Sequence, residues 1–148
     1  MSQDRQFCTF QVGELYMGIE VLNVHEVIRS QEMTPVPLAA PAVSGLINLR
    51  GEIVTAIDLR RRLRLAPRPE GHQPVNVVIR TSDGAVSLLV DEIGDVIEPS
   101  TESFEPISET VDKAAQGLIS GVYKLTDRLL LVLDVDRAID LDSSAEPG

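Results

Sequence analysis

The sequence has little of the chemistry that enzymes and metal sites use. Its 148 residues include one cysteine, Cys8, and two histidines, His25 and His72, which lie far apart. A disulfide framework needs paired cysteines, and a zinc site needs several cysteine or histidine ligands close together. Neither a nucleophile elbow nor a glycine-rich phosphate-binding loop is present. We therefore expect a protein that is not an enzyme and that has no metal or other cofactor.

Long apolar runs and clustered positive charge are also missing. No run approaches the roughly 20 residues of a membrane-spanning helix, and the polar start MSQDRQ does not resemble a secretory signal. The formal net charge is −10. Residues 1–65 hold seven acids and seven arginines, so the whole net negative charge comes from residues 66–148. Nucleic-acid binding is not expected, because phosphate contacts need clustered Lys and Arg. These features predict a cytoplasmic protein without direct membrane insertion.

The most informative feature present is an internal repeat. Residues 44–59, SGLINLRGEIVTAIDL, return without a gap 76 positions later as residues 120–135, SGVYKLTDRLLLVLDV. Each copy starts with Ser-Gly and predicts a strand, a polar turn and a second strand that ends in an aspartate. A weaker similarity relates 21–28 to 90–97, at an offset of 69. The repeat indicates a chain built from two similar halves.

The halves span about 7–63 and 75–139, and a connection with three prolines, 64–74, joins them. All of this fits one domain of residues 1–148 with two subdomains. Short runs of β-branched and aliphatic residues between turns predict about ten strands in two sets of five. Two small closed barrels would remove exposed strand edges. Helix is scarce, with Asp58 and Asp134 predicted to be N-caps of short helices.

The two repeated aspartates raise one enzymatic alternative. Aspartic proteases also combine two β halves that each contribute a catalytic aspartate. Here Leu59 follows Asp58 and Val135 follows Asp134, where such proteases need a small hydroxyl residue and then glycine. Capping explains both aspartates without catalysis.

Residues 43–63 carry a resemblance to a known family. Residues 45–51, GLINLRG, followed by Ile53-Val54 and Asp58-Leu59-Arg60, are similar to the signature of CheW-like domains, the coupling proteins of bacterial chemotaxis. The resemblance extends to residues 16–19, YMGI, and 24–27, VHEV, and covers about 7–140. Thr55 stands where proline is common in the family. The resemblance implies a mainly β fold of two five-stranded SH3-like barrels around a shared apolar core, with a few short helices.

The resemblance also implies a function. Chemotaxis kinases carry this domain behind dimerisation and ATP-binding domains, and CheV-type proteins carry a receiver domain after it; this sequence shows neither. We expect a stand-alone, non-enzymatic scaffold that couples methyl-accepting chemoreceptors to the chemotaxis histidine kinase. It would be a cytoplasmic monomer recruited to receptor arrays at the inner face of the membrane. The alternatives are a peptide- or ligand-binding double barrel of an unrelated pathway, or an adaptor of a non-flagellar chemosensory system.

The implied partners are the kinase regulatory domain and the cytoplasmic tip of the receptors. The candidate receptor-binding residues are Val24, Glu26, Val27, Asn48, Leu49 and Arg50. The candidate kinase-binding residues are Gly45, Val122, Leu130 and Val132. Arg50 either pairs with a receptor glutamate or pairs internally with Glu26 or Asp58 and braces the first barrel. Gly45 either lets a partner approach or is required by a turn or bulge.

Two further segments have simpler interpretations. The arginine run at 60–64 is interpreted as a solvated helix face. The polar residues 140–148 are predicted to be a disordered tail.

Overall fold

The computed structural model describes residues 5–29, 32–82, 84–107, 111 and 113–140. Most of the predicted tail therefore lies outside the described residues. The described part forms these strands: β1 Phe7–Val12, β2 Leu15–Glu20, β3 Val24–Ile28, β4 Val43–Leu49, β5 Glu52–Asp58, β6 Val75–Thr81, β7 Gly84–Val90, β8 Glu92–Ile97, β9 Phe104–Glu105, β10 Ile119–Lys124 and β11 Leu129–Leu133. Its helices are α1 Leu59–Arg62, α2 Lys113–Gln116 and α3 Val135–Ile139, with 3-10 turns at Val21–Asn23 and Thr101–Ser103. The predicted mainly β fold with a few short helices is confirmed.

The strands form two sheets. Sheet A has six strands in the order β8-β1-β2-β11-β10-β9, and sheet B has five in the order β3-β6-β7-β5-β4. The sequence predicted five strands in each, and the additional one is β9, which is only two residues long. Neighbouring strands are antiparallel except for two parallel pairs, β2–β11 and β5–β7.

Each sheet takes strands from both halves of the chain. Sheet A combines the hairpin β1-β2 with β8–β11, and sheet B combines the hairpin β6-β7 with β3–β5. The halves meet at four strand pairs, the parallel pairs β2–β11 and β5–β7 and the antiparallel pairs β1–β8 and β3–β6. The ranges 7–63 and 75–139 therefore describe the repeat in the sequence but do not coincide with the sheets. Alternation of apolar residues predicts strands, whereas the choice of partner for each hairpin depends on the packing of the whole chain.

The repeat has a direct structural counterpart. The offset of 76 relates β4-β5-α1 to β10-β11-α3, and the offset of 69 relates β1-β2-β3 to β6-β7-β8. The repeated aspartates cap equivalent helices. Asp58 Oδ1 accepts a hydrogen bond from the Arg60 amide at 3.0 Å, and Asp134 Oδ1 accepts one from the Arg137 amide at 3.2 Å. The predicted N-caps are confirmed.

The Ser-Gly pair that opens each copy lies at a β-bulge. The ladder shifts between Val43 and Gly45 in β4, and between Ile119 and Gly121 in β10. A crossing segment passes directly over each glycine. A Cβ atom at Gly45 would lie 2.7 Å from the carbonyl oxygen of Thr34, and one at Gly121 would collide with the ring of Phe104. Both glycines are needed because a backbone or ring approaches too closely for a side chain.

Both sheets curl until their edges approach. The edge strand β3 ends at Ile28, and six residues later Thr34 pairs with Leu46 on β4, at the opposite edge of sheet B. Six residues span at most about 20 Å, so the edges must lie close together. Sheet A is joined in the same way, since β8 is followed by β9, which pairs with β10. This curvature is that of two small barrels.

The main apolar core contains side chains from both sheets. Sheet A contributes Phe10, Met17 and Ile19, and sheet B contributes Ile57, Val77, Ile79 and Leu88; these are at most 2% exposed. A smaller cluster of Phe7, Tyr123, Leu130 and Val132 belongs to sheet A alone. The predicted shared core is confirmed, and it holds the two sheets in one unit.

Candidate partner-binding site

The turn between β4 and β5 presents Arg50 to solvent. Arg50 and Gly51 form a two-residue connection, and both have positive φ angles, 51° and 91°. Positive φ at both central residues fits the twist of a tight hairpin. Asn48 Oδ1 accepts a hydrogen bond from the Gly51 amide at 2.9 Å and fixes the turn.

Arg50 pairs internally with Glu26. The curled sheet B brings the β4-β5 turn against β3, and the Arg50 guanidinium donates a hydrogen bond to Glu26 Oε1. The hydrogen bond and the charge of Glu26 raise the pKa of Arg50 above its ordinary value. The side chain of Arg50 is still 70% exposed, compared with 22% for Glu26. Of the two internal partners considered from the sequence, Glu26 is the one observed.

A shallow pocket of about 210 Å³ opens beside this ion pair. It is lined by His25, Leu49, Arg50, Glu52, Val54, Val78, Arg80 and Ala85. Val54 and Val78 are buried and form its floor. The ladder between β3 and β6 shifts between Val24 and Glu26, so His25 is the extra residue of a bulge and turns toward the pocket. His25 Nε2 lies 3.8 Å from Glu26 Oε1.

Three of the six candidate receptor-binding residues, Glu26, Leu49 and Arg50, lie at this pocket or its ion pair, and Asn48 holds the adjoining turn. Val24 packs partly against the main core. Val27 is 40% exposed on β3. The sequence analysis missed His25, because nothing in residues 22–28, LNVHEVI, indicates a bulge. It also missed Arg80, because no local pattern places β6 of the second half beside β3.

The candidate kinase-binding residues are not at the surface. Val122, Leu130 and Val132 are 3%, 0% and 3% exposed and belong to the apolar clusters. Gly45 is buried beneath the Thr34 backbone, as a bulge requires. Buried atoms offer little area to a partner, and a direct contact of these four residues with the kinase stays a prediction.

The arginine run at 60–64 is only partly a solvated face, since Arg61 and Arg64 are exposed and Arg60 and Arg62 are not. The side chain of Arg60 is 14% exposed and its Nη2 lies 2.7 Å from Asp91 Oδ2. Arg61 donates to the carbonyl oxygen of Pro41 at 2.9 Å, and Arg62 donates to that of Ala138 at 2.9 Å. The sequence shows the arginines, but the carbonyl oxygens that accept from Arg61 and Arg62 lie 20 and 76 positions away in the chain.

A buried ionic cluster centred on Asp91 ties the connection to both sheets. Arg68 Nη1 lies 3.0 Å from Asp58 Oδ2, and Arg68 Nε lies 3.0 Å from Asp91 Oδ1. Gly13 also donates its amide to Asp91 Oδ2 at 2.7 Å. Burial alone would raise the pKa of Asp91, but the hydrogen bonds from Arg60 and Gly13 and the charges of Arg60 and Arg68 hold it below its ordinary value. The cluster is structural, since every one of these charges is paired internally.

In the part of the chain that the structure describes, no helix has the length and apolar character needed to cross a membrane.

Comparisons with known proteins agree with this architecture. The family model described as CheW-like domain matches residues 6–143. The chemotaxis protein CheW of Treponema pallidum is 32% identical over 136 residues, which cover 89% of this chain and 80% of that protein. The chemotaxis protein CheW of Bacillus subtilis is 33% identical over 135 residues, which cover 91% of this chain and 86% of that protein.

A solved structure shows the same fold. The crystal structure of the scaffolding protein TtCheW from Thermoanaerobacter tengcongensis superposes with a TM-score of 0.78 at 25% identity, covering 89% of this chain and 90% of that one. The family match extends over both sheets and the core between them. The chain therefore belongs to the CheW-like family.

Proposed function

We propose that this chain is a non-enzymatic chemotaxis scaffold that couples methyl-accepting chemoreceptors to the chemotaxis histidine kinase. The observation that carries the proposal is the family match over residues 6–143, which includes every described strand and helix. The curated relatives that support it are named chemotaxis protein CheW and are covered over at least 80% of their length. A scaffold of this kind turns nothing over. It acts by fixing the geometry in which receptor and kinase meet.

The receptor face is proposed at sheet B, around the pocket. Its residues are Val24, Glu26, Val27, Asn48, Leu49 and Arg50. Val27 is 40% exposed, and Ile53, which pairs with Asn48 across the hairpin, is 59% exposed. Exposed aliphatic side chains next to an accessible ion pair fit an amphipathic helix laid across the surface. The receptor tip, a helical hairpin, would supply such a helix.

The kinase face is proposed at the equivalent edge of sheet A. The repeat places Val96 on β8 where β3 has Val27, and Val96 is 56% exposed. Phe104 on β9 is 45% exposed and Ile93 is 38% exposed. These exposed side chains replace the buried residues that the sequence suggested. The repeat thus gives a scaffold its second apolar surface, separate from the first.

The experiment that tests the function is capture of partners by the tagged full chain from an extract of its native cells, followed by mass spectrometry. We expect a histidine kinase and a methyl-accepting receptor to be recovered. Arg50→Glu is expected to lose the receptor and retain the kinase. Arg64→Glu is the matched control, because it makes the same charge change at an exposed arginine that does not line the pocket.

Recovery of neither partner, from cells shown to express both, would contradict the proposal. It would leave a ligand-binding module of another pathway as the better explanation. Recovery of a kinase and receptor from a chemosensory system without flagellar output would retain the scaffold role and change only the pathway.

A further inference from the structure

We infer that Arg80 is the cation that binds an acidic side chain of the receptor helix in the pocket of sheet B. The inference rests on the proposed function and specifies the chemistry of its receptor face. The partner residue would be a glutamate whose carboxylate reaches the Arg80 guanidinium while its methylene groups contact the apolar floor.

The first supporting observation is that Arg80 lacks an internal partner. It is exposed near the end of β6, and its side chain makes no hydrogen bond or ion pair with any residue that the structure describes. The other pocket arginine, Arg50, is already bound to Glu26. The remaining pocket acid, Glu52, also acts on Arg50, since its charge contributes to the raised pKa of that guanidinium. Arg50 is therefore paired with Glu26, and Arg80 is the pocket arginine whose guanidinium remains for an external carboxylate.

The second observation is the shape and lining of the pocket. Its volume of about 210 Å³ has room for one partner side chain. Val54 and Val78 supply the buried floor. Ala85 pairs with Arg80 across β6-β7. Because the side chain of Ala85 is small, it leaves the Arg80 guanidinium uncovered. An apolar floor with a cation at the rim fits glutamate better than a purely apolar or a positively charged side chain.

The carboxylates that border the cavity on the other side of Arg80 do not pair with its guanidinium. That cavity, of about 280 Å³, also borders Glu20, Asp134 and Asp136. Glu20 pairs with Arg5 at 3.0 Å and Asp134 pairs with Arg137 at 3.6 Å. None of these three carboxylates lies within ion-pair distance of Arg80.

The repeat places a neutral side chain in sheet A where sheet B has Arg80. At the offset of 69, the counterpart of Arg80 is Gln11 in sheet A. Gln11 is neutral, and its Nε2 donates to the carbonyl oxygen of Gly13 at 3.3 Å. At this position of the repeat, sheet B has a cation and sheet A has a neutral amide. This difference would let the scaffold distinguish an acidic helix from its other partner.

The test measures binding of the full chain to a purified cytoplasmic fragment of a methyl-accepting receptor from the same organism, at low and at physiological salt. Arg80→Gln is expected to weaken binding about tenfold, the typical effect of losing one charge-assisted hydrogen bond. It should also reduce the salt dependence of binding, which a change confined to folding would not do. Arg80→Lys should retain part of the affinity, and Arg64→Gln should alter neither quantity.

Charge reversal identifies the partner residue. Arg80→Glu should abolish binding, and one Glu→Arg substitution among the exposed acids of the receptor fragment should restore it. Wild-type affinity in Arg80→Gln, with the fragment still bound, would overturn the inference and leave the scaffold function standing. A folded wild-type chain that bound neither the receptor fragment nor the kinase would overturn both.

Discussion

Arginine side chains occupy two kinds of environment in this molecule. Arg60 and Arg68 are 14% and 10% exposed and bind buried carboxylates, whereas Arg50 is 70% exposed. Water and salt screen an exposed ion pair, so it adds little to stability. Removing one partner of a buried ion pair destabilises the fold far more, because the remaining charge is buried without a partner and without water. The same residue type therefore serves folding at one position and remains available for binding at another.

Arg50→Glu is expected to leave the fold intact and to abolish receptor binding. The substitution places a third carboxylate beside Glu26 and Glu52, which repels an acidic partner without opening the core. Thermal unfolding followed by circular dichroism, together with binding to the receptor fragment, separates the two effects. A large drop in melting temperature as the main effect would instead show that Arg50 is a structural brace. The charge swap Glu26→Arg with Arg50→Glu serves as a control that keeps the internal pair.

Asp91 makes the unfolding free energy depend on acid pH. Its pKa is lower in the folded chain than in the unfolded chain, where an aspartate titrates near about 3.9. The stabilisation is therefore present above that value and is lost as the pH falls through the lower folded-state pKa. Asp91→Asn is expected to cost roughly 3–5 kcal/mol at neutral pH, because Arg60 and Arg68 lose their shared carboxylate.

Urea titrations of the wild-type chain and of Asp91→Asn across the acid range test this expectation. The variant should show a shallower loss of stability on acidification. The exposed Asp127→Asn is the control and should follow the wild-type curve. A variant that lost stability in acid as steeply as the wild type would assign the acid sensitivity to other carboxylates.

At the scale of strands and helices, local sequence patterns predicted the features that depend on residues close together in the chain. The alternation in residues 7–12 and 75–81 predicted β1 and β6, and Asp58 and Asp134 predicted the starts of α1 and α3. The bulge that turns His25 toward the pocket left no local signal. It exists because Glu26 and Val24 must pair with Val78 and Ile79 on a strand from the other half. The motif therefore suggested candidate residues for the proposed receptor face, but it did not predict the pocket beside them.

The two bulge glycines should differ in their tolerance of substitution. Gly45→Ala drives a Cβ against the Thr34 carbonyl oxygen, which belongs to the backbone and cannot move without losing the pairing with Leu46. A cost of about 1–3 kcal/mol is expected, as for overpacking. Gly121→Ala meets only the ring of Phe104, which is 45% exposed and can rotate away. Its cost should be smaller.

Urea denaturation of both variants measures the difference. Adding Phe104→Ala to Gly121→Ala should restore most of the lost stability, because the colliding ring is then absent. Equal costs at the two positions, without such a recovery, would contradict the assignment of the collision to Phe104.

For the whole molecule, the repeat revealed the duplication but could not reveal how the halves combine. Two compact barrels and two interleaved sheets have the same strand sequence and the same alternation. The choice between them depends on the four junctions β2–β11, β5–β7, β1–β8 and β3–β6, whose partners are separated by long stretches of chain. Long-range pairing of this kind is determined by global packing and leaves no periodic pattern in the sequence.

Interleaving predicts that the halves do not fold separately. A fragment of residues 1–70 lacks β6-β7 for sheet B, and a fragment of residues 71–148 lacks β1-β2 for sheet A. Each fragment alone is expected to show little protection of its amides from hydrogen exchange, and an equimolar mixture should regain protection. A fragment that folded cooperatively by itself would contradict this expectation. The uncut chain provides the reference.

The net charge of −10 predicts that the chain does not bind nucleic acid at physiological salt. Fluorescence anisotropy of labelled double-stranded DNA and RNA oligomers should remain at the free value as protein is added. Binding near micromolar affinity that weakens with salt would contradict the charge argument.

The exchange of hairpins between the sheets also has an evolutionary consequence. A gene crossover in the connection at 64–74 would replace strands in both sheets at once. Neither of the two proposed binding faces could therefore be exchanged as an independent unit. Strands of the two halves contact each other in both sheets, so each half is expected to accept only substitutions that the other tolerates. The receptor and kinase surfaces are consequently expected to diverge together, with a change on one side selecting for a compensating change in the opposite half.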